Sequence, residues 1–109
     1  MTRLDLPHQY LTELVALLQA HVPDAEVWAY GSRLNGCAHA TSDLDLVVRN
    51  PTDPLQAQPK LWVLREALSE SGLPILVDVL DWARIPDSFR KEIERAHVVL
   101  REPSQETSA

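Results

Sequence analysis

Between two short apolar runs the chain carries Gly31-Ser32, then ten residues, then Asp43-Leu44-Asp45. That spacing predicts a strand ending in a tight turn, followed by a second strand with two carboxylates on one face. Successive side chains of a strand point to opposite sides, so Asp43 and Asp45 lie about 6–7 Å apart along it. At an effective dielectric of 20, two unit charges that close repel by roughly 2.5 kcal/mol. A divalent cation is the natural way to relieve such a pair. Mg²⁺ takes one or two protein carboxylates and completes its shell with substrate phosphates. The pattern reads as a metal-dependent nucleotide site.

The flanking residues supply the rest of that chemistry. Gly31-Ser32 follows the predicted strand of residues 25–30 and opens a short predicted helix that Gly36 stops. A helix N-terminus there exposes backbone N–H groups to phosphate oxygens. Glycine allows a ligand close to the backbone, and the Ser32 hydroxyl can donate to a phosphate. Arg33 is a further phosphate contact or a solvated side chain. Alone, a Gly-Ser pair marks many ordinary turns, and an Asp at a strand start can simply bond local backbone.

Asp78 shifts the balance. It interrupts the apolar run of residues 74–80, where an unpaired carboxylate is expensive. Either a structural partner such as a buried arginine satisfies it, or it joins Asp43 and Asp45 around metal. Three carboxylates on neighbouring strands suit two-metal phosphoryl or nucleotidyl transfer, with Asp78 also placed to take the acceptor's proton. Asp81 competes for the third position, but strand parity puts it on the opposite face. A helix-like segment follows it and suggests a cap.

Around this centre the periodicity predicts a helix over 7–21, with Tyr10, Leu11, Leu14, Val15, Leu17 and Leu18 inward. Strands follow at 25–30 and 43–48, and the proline-bearing stretch 50–59 is a loop. A helix over 59–71 stops at Gly72 and turns Leu61, Trp62, Leu64, Ala67 and Leu68 inward. Then come a strand at 74–80, a helix capped by Asp87 or Ser88 and running to about Ala96, and a closing strand at 98–101. The fold class is α/β, a mixed sheet flanked by helices. One domain spans residues 1–101, and the Ser-, Glu- and Thr-rich tail 102–109 is expected to be disordered.

Composition narrows the partners. The formal net charge of −6, from 16 acidic and 10 basic residues, argues against nucleic-acid binding through a basic face. It also means that an anionic triphosphate needs a cation between it and the protein. The single Cys37 excludes an internal disulfide and fits a reducing cytoplasm. Nothing resembles a membrane span or a signal peptide. The four histidines, His8, His21, His39 and His97, share no metal-ligand spacing. Trp28, Trp62 and Trp82 are read as core or partner-facing bulk.

Gly31-Ser32-x10-Asp43-x-Asp45 with a late, apolar-flanked Asp78 resembles the nucleotidyltransferases of the DNA polymerase β superfamily, over roughly residues 10–101. The short length and the run Leu76-Val77-Asp78-Val79-Leu80-Asp81-Trp82 most resemble the minimal nucleotidyltransferase antitoxins. The resemblance implies a nucleotidyltransferase fold, Mg²⁺ and ATP, and transfer of AMP to a tyrosine of a HEPN-domain ribonuclease toxin in a type VII-like pair. It assigns catalysis and metal to Asp43, Asp45 and Asp78, and the nucleotide to Gly31 and Ser32. A homodimer within a larger hetero-oligomer is compatible with that family. The competing expectation is a non-catalytic antitoxin that masks its toxin by binding. A small-molecule nucleotidyltransferase is third, because the chain lacks room for an acceptor domain.

Overall fold

The computed structural model describes residues 7–31 and 44–101. Its elements run α1 (His8–His21), β1 (Glu26–Tyr30), β2 (Leu44–Arg49), α2 (Leu61–Glu70) and β3 (Val77–Asp81). A 3-10 turn (Trp82–Arg84), α3 (Asp87–Arg95) and β4 (Val98–Arg101) complete the order. The expected short helix after Gly31, the loop leading to Asp43 and the tail lie outside the described residues.

The four strands form one mixed sheet in the order β3-β2-β1-β4. β1 pairs antiparallel with β2 and β4, whereas β2 and β3 are parallel. A parallel pair needs a crossover of a dozen or more residues, and the loop after β2 together with α2 provides it. Each strand presents one side to a different apolar layer. Val27, Ala29, Leu44, Leu46, Val48 and Val79 pack against Leu14 and Leu18 of α1 and Leu61, Leu64 and Leu68 of α2. On the other side Trp28 and Val47 meet Trp82 and Ile93, with Tyr30, Leu80 and Phe89 around them. β1 and β2 are therefore buried on both faces, which is why their sequences read as near-continuous apolar runs.

Several boundaries depart from the sequence expectation. β3 begins at Val77 rather than at residue 74, since the stretch through Pro74 bends before the ladder starts. It starts where Leu44 N–H donates to the Leu76 carbonyl, at 2.9 Å. α2 ends at Ser71 in extended backbone, its hydroxyl donating to Leu68 O at 2.7 Å, so Gly72 is not a left-handed stop. Pro86, not Asp87 or Ser88, stands at the cap of α3. Asp87 falls in the first turn, where a carboxylate complements the helix dipole. Trp62 is 64% exposed on α2, not part of its buried stripe, because Leu61 beside it takes the inward position.

The largest correction concerns the carboxylates of β3. Asp78 is exposed, while Asp81 is 4% exposed among apolar neighbours. The cost argument for an unpaired buried carboxylate therefore does not apply to Asp78. Asp81 solves its own burial locally. It accepts from Gln58 N–H at 2.9 Å and from Ala83 N–H at 3.1 Å, and Arg84 lies 3.5 Å away. It caps the 3-10 turn, as parity and the following segment suggested, and pins the 50–60 loop to the end of β3.

Candidate active site

The strand register assembles the candidate site. Tyr30 is the partner of Asp45 across β1 and β2, and Asp45 is the partner of Asp78 across β2 and β3. All three side chains belong to the sheet face that carries α3, by the alternation that puts Trp28, Val47 and Leu80 in its apolar layer. They form a row at the open end of that face. Tyr30 and Asp45 are half-buried and Asp78 faces solvent. Adjacent strands lie about 4.8 Å apart, so Asp45 and Asp78 are neighbours although they are 33 positions apart in the sequence. Two ionised carboxylates about 5 Å apart repel by roughly 3 kcal/mol at an effective dielectric of 20, less where water reaches Asp78.

Gly31 sits beneath Asp45. Its φ is +92°, a conformation that side chains with a Cβ rarely adopt. A Cβ at this position would stand 2.5 Å from Asp45 Oδ2 and 3.3 Å from Asp45 Cγ. The absence of a side chain therefore makes the seat in which the carboxylate rests. Gly31→Ala is expected to displace Asp45 and to destabilise the fold by about 1–3 kcal/mol through backbone strain. A lowered urea midpoint with an unchanged slope would register it.

Tyr30 was not singled out by the sequence. Its ring stands edge-on to Phe89 of α3, with centroids 5.7 Å apart and planes at 84°. Burial first, then the charge of Asp45, then that of Asp78, push its phenol well above the ordinary tyrosine value. A hydroxyl so placed stays protonated. Only the pairing of β1 with β2 reveals it, and that pairing is not written in the sequence.

Of the residues the sequence proposed, Gly31, Asp45 and Asp78 come together. Asp43, Ser32 and Arg33 lie outside the described residues. Among the described residues no three His, Cys, Asp or Glu side chains gather into one cluster. The donors present still fit a hard divalent cation. Two carboxylates stand side by side, one of them seated against backbone where a Cβ would intrude.

Comparison with known proteins bears on the family and the fold. Residues 3–92 match the family described as poly(A) RNA polymerase, mitochondrial-like, central palm domain. The chain is 43% identical over 102 residues to a probable protein adenylyltransferase MntA of Haemophilus influenzae, covering 92% of this chain and 86% of that protein. A chain in a crystal structure of a toxin–antitoxin with AMP-PNP superposes with a TM-score of 0.68 and 21% identity, over 87% of this chain and 75% of that one. A mutant of the toxin–antitoxin MntA-HpeT gives 0.68 and 19% over the same shares. At that identity the two structures speak for the fold.

Proposed function

Since this chain belongs to the minimal nucleotidyltransferases, polymerase-like palm domains of antitoxin type, we propose that it transfers AMP from ATP to a tyrosine of a HEPN-domain ribonuclease toxin. The toxin is neutralised by the modification. The observation that carries this reading is the row in which Asp45 and Asp78 become neighbours over a Cβ-free Gly31. Family membership makes the chain a nucleotidyltransferase, and likeness to a protein adenylyltransferase at 43% identity supports a protein acceptor.

The acceptor's phenolic oxygen attacks the α-phosphorus of ATP. The bond from that phosphorus to the bridging oxygen breaks, pyrophosphate leaves, and a phosphodiester to tyrosine forms. Asp45 and Asp78, with Asp43, would hold Mg²⁺, which supplies charge neutralisation for the triphosphate and a lowered acceptor pKa. Asp78, the exposed member of the row, is the side chain that an incoming hydroxyl can reach, and it takes the proton. Gly31 lets the triphosphate approach the backbone, and Ser32 and Arg33 donate to its oxygens. The solvent-facing row suits an acceptor brought by another protein. A net charge of −6 suits neither DNA nor RNA as that partner. Among the described residues no helix is long and apolar enough to cross a membrane. The lone Cys37 fits a reducing compartment, and on that ground the reaction is assigned to the cytoplasm.

Intact mass of the co-purified partner, before and after incubation with Mg-ATP, tests the reading. Whole AMP units gained by the partner, with pyrophosphate released, are the expected result. Tight co-purification without any mass change would replace transfer by masking through contact.

A further inference from the structure

β3 is an edge strand, and its solvent-facing side bears on how an acceptor arrives. The first ladder bond runs from Leu44 N–H to the Leu76 carbonyl, so the alternation of β3 extends back to Leu76. Ile75, Val77 and Val79 pack into the layer that holds α1 and α2. Leu76, Asp78 and Leu80 therefore share the opposite face. Leu80 joins the apolar layer under α3, whereas Asp78 and Leu76 lie beyond it in solvent. Leu76 is 72% exposed, the most exposed large apolar side chain among the described residues. Single exposed apolar residues are ordinary, but this one stands two positions from the carboxylate assigned the acceptor's proton. We infer that Leu76 seats the ring of the acceptor tyrosine, and so selects a phenol over a serine or threonine hydroxyl.

Reach is the first support. Residues i and i+2 of a strand lie about 6–7 Å apart on one face, a distance that a tyrosine side chain spans from ring to hydroxyl. A ring resting on Leu76 therefore delivers its oxygen to Asp78. Serine and threonine are too short to touch Leu76 and present a hydroxyl there at once. Direction is the second support. The triphosphate is read as entering over Gly31, at the β1 end of the row, whereas Leu76 lies at the β3 end. Nucleotide and acceptor thus approach from opposite ends, with Asp45 between them. The edge position is the third. No strand of the sheet flanks β3 on its outer side. Arg65, which donates to the Val79 carbonyl at 3.1 and 2.7 Å, covers that edge only further along.

The inference rests on the transfer reading, and the experiment separates their failures. Initial rates of AMP transfer to the co-purified partner are read by intact mass for wild type, Leu76→Ser and Leu76→Met. At so exposed a position both variants should melt like wild type. Leu76→Ser should raise the KM for the partner roughly tenfold, as loss of an apolar contact does, with the KM for ATP unchanged. Leu76→Met should recover most of that loss, since it restores apolar surface. Fragment masses of the modified partner should place AMP on tyrosine. A wild-type partner KM in Leu76→Ser would overturn the assignment, as would AMP found on serine or threonine. A raised KM for ATP with the partner's unchanged would overturn it too, and would give Leu76 to the adenine. Wild-type protein that transfers no AMP to its partner would sink the transfer reading itself, and the role of Leu76 with it.

Discussion

Asp45→Asn is expected to reduce AMP transfer by about a thousandfold or more while leaving the fold as stable as before, or more stable. A thousandfold corresponds to about 4 kcal/mol of lost transition-state stabilisation. That is a reasonable size for the central carboxylate of a metal-dependent site. The stability change runs the other way for an electrostatic reason. Asp45 is half-buried and paired in register with Asp78, so removing its charge relieves that repulsion, while asparagine keeps a side-chain oxygen for the other contacts Asp45 makes. Two charges about 5 Å apart at an effective dielectric of 20 set a ceiling near 3 kcal/mol. Water at the exposed Asp78 cuts this to about 1 kcal/mol or less. A melting temperature unchanged or raised by a few degrees, beside lost transfer, would separate this carboxylate from structural ones. Lost transfer with a melting temperature lowered by about ten degrees or more would mean that Asp45 serves chiefly to hold the fold, and the site would have to be sought elsewhere.

The contrast between Asp78 and Asp81 shows how far sequence carries. Alternation along the apolar run assigns the two to opposite faces, and the structure agrees. Which face is wet depends on what covers it. The side bearing Asp81 is closed by the 50–60 loop through Gln58, whereas Asp78 is exposed on the edge strand β3. Neither closure has a local signature. Asp81 does carry one clue, the helix-like segment behind it, which suggests a cap; the segment is a 3-10 turn, and Asp81 caps it. The row Tyr30–Asp45–Asp78 is hidden for the same reason. Parity places residues on a face within one strand, but only the order β3-β2-β1-β4 makes them neighbours. Trp62 misleads in the opposite sense. Its size suggests burial, yet the helical phase set by Leu61, Leu64 and Leu68 turns it to solvent. α1 and α2 are legible from their helical apolar stripes, and β1 and β2 from short, near-continuous apolar runs.

Trp28→Ala should produce the largest loss of stability, about 3–5 kcal/mol, out of the 5–15 kcal/mol typical of a whole domain. Trp28 is 8% exposed on the central strand β1 and organises the second apolar layer. His97 stacks on it at 3.9 Å with planes 15° apart, and Trp82 meets it edge-on at 5.2 Å. The Arg49 guanidinium, ion-paired with Glu26, lies 5.0 Å from its ring centroid and 5.5 Å from that of Trp82. One indole thus joins β1, β2, the 3-10 turn and the approach to β4. Trp28→Phe should cost far less, about 1–2 kcal/mol. It keeps a ring against His97 and removes Nε1, a buried donor with no partner among the described residues. Denaturant midpoints of the two variants decide whether packing volume or the indole N–H matters. If Trp28→Ala instead unfolds with a loss near that of Trp28→Phe, the layer collapses onto the cavity. In that case α3 is held mainly by Ile93 and by Arg90, whose guanidinium donates to the Trp82 and Ala83 carbonyls at 2.8 and 3.2 Å.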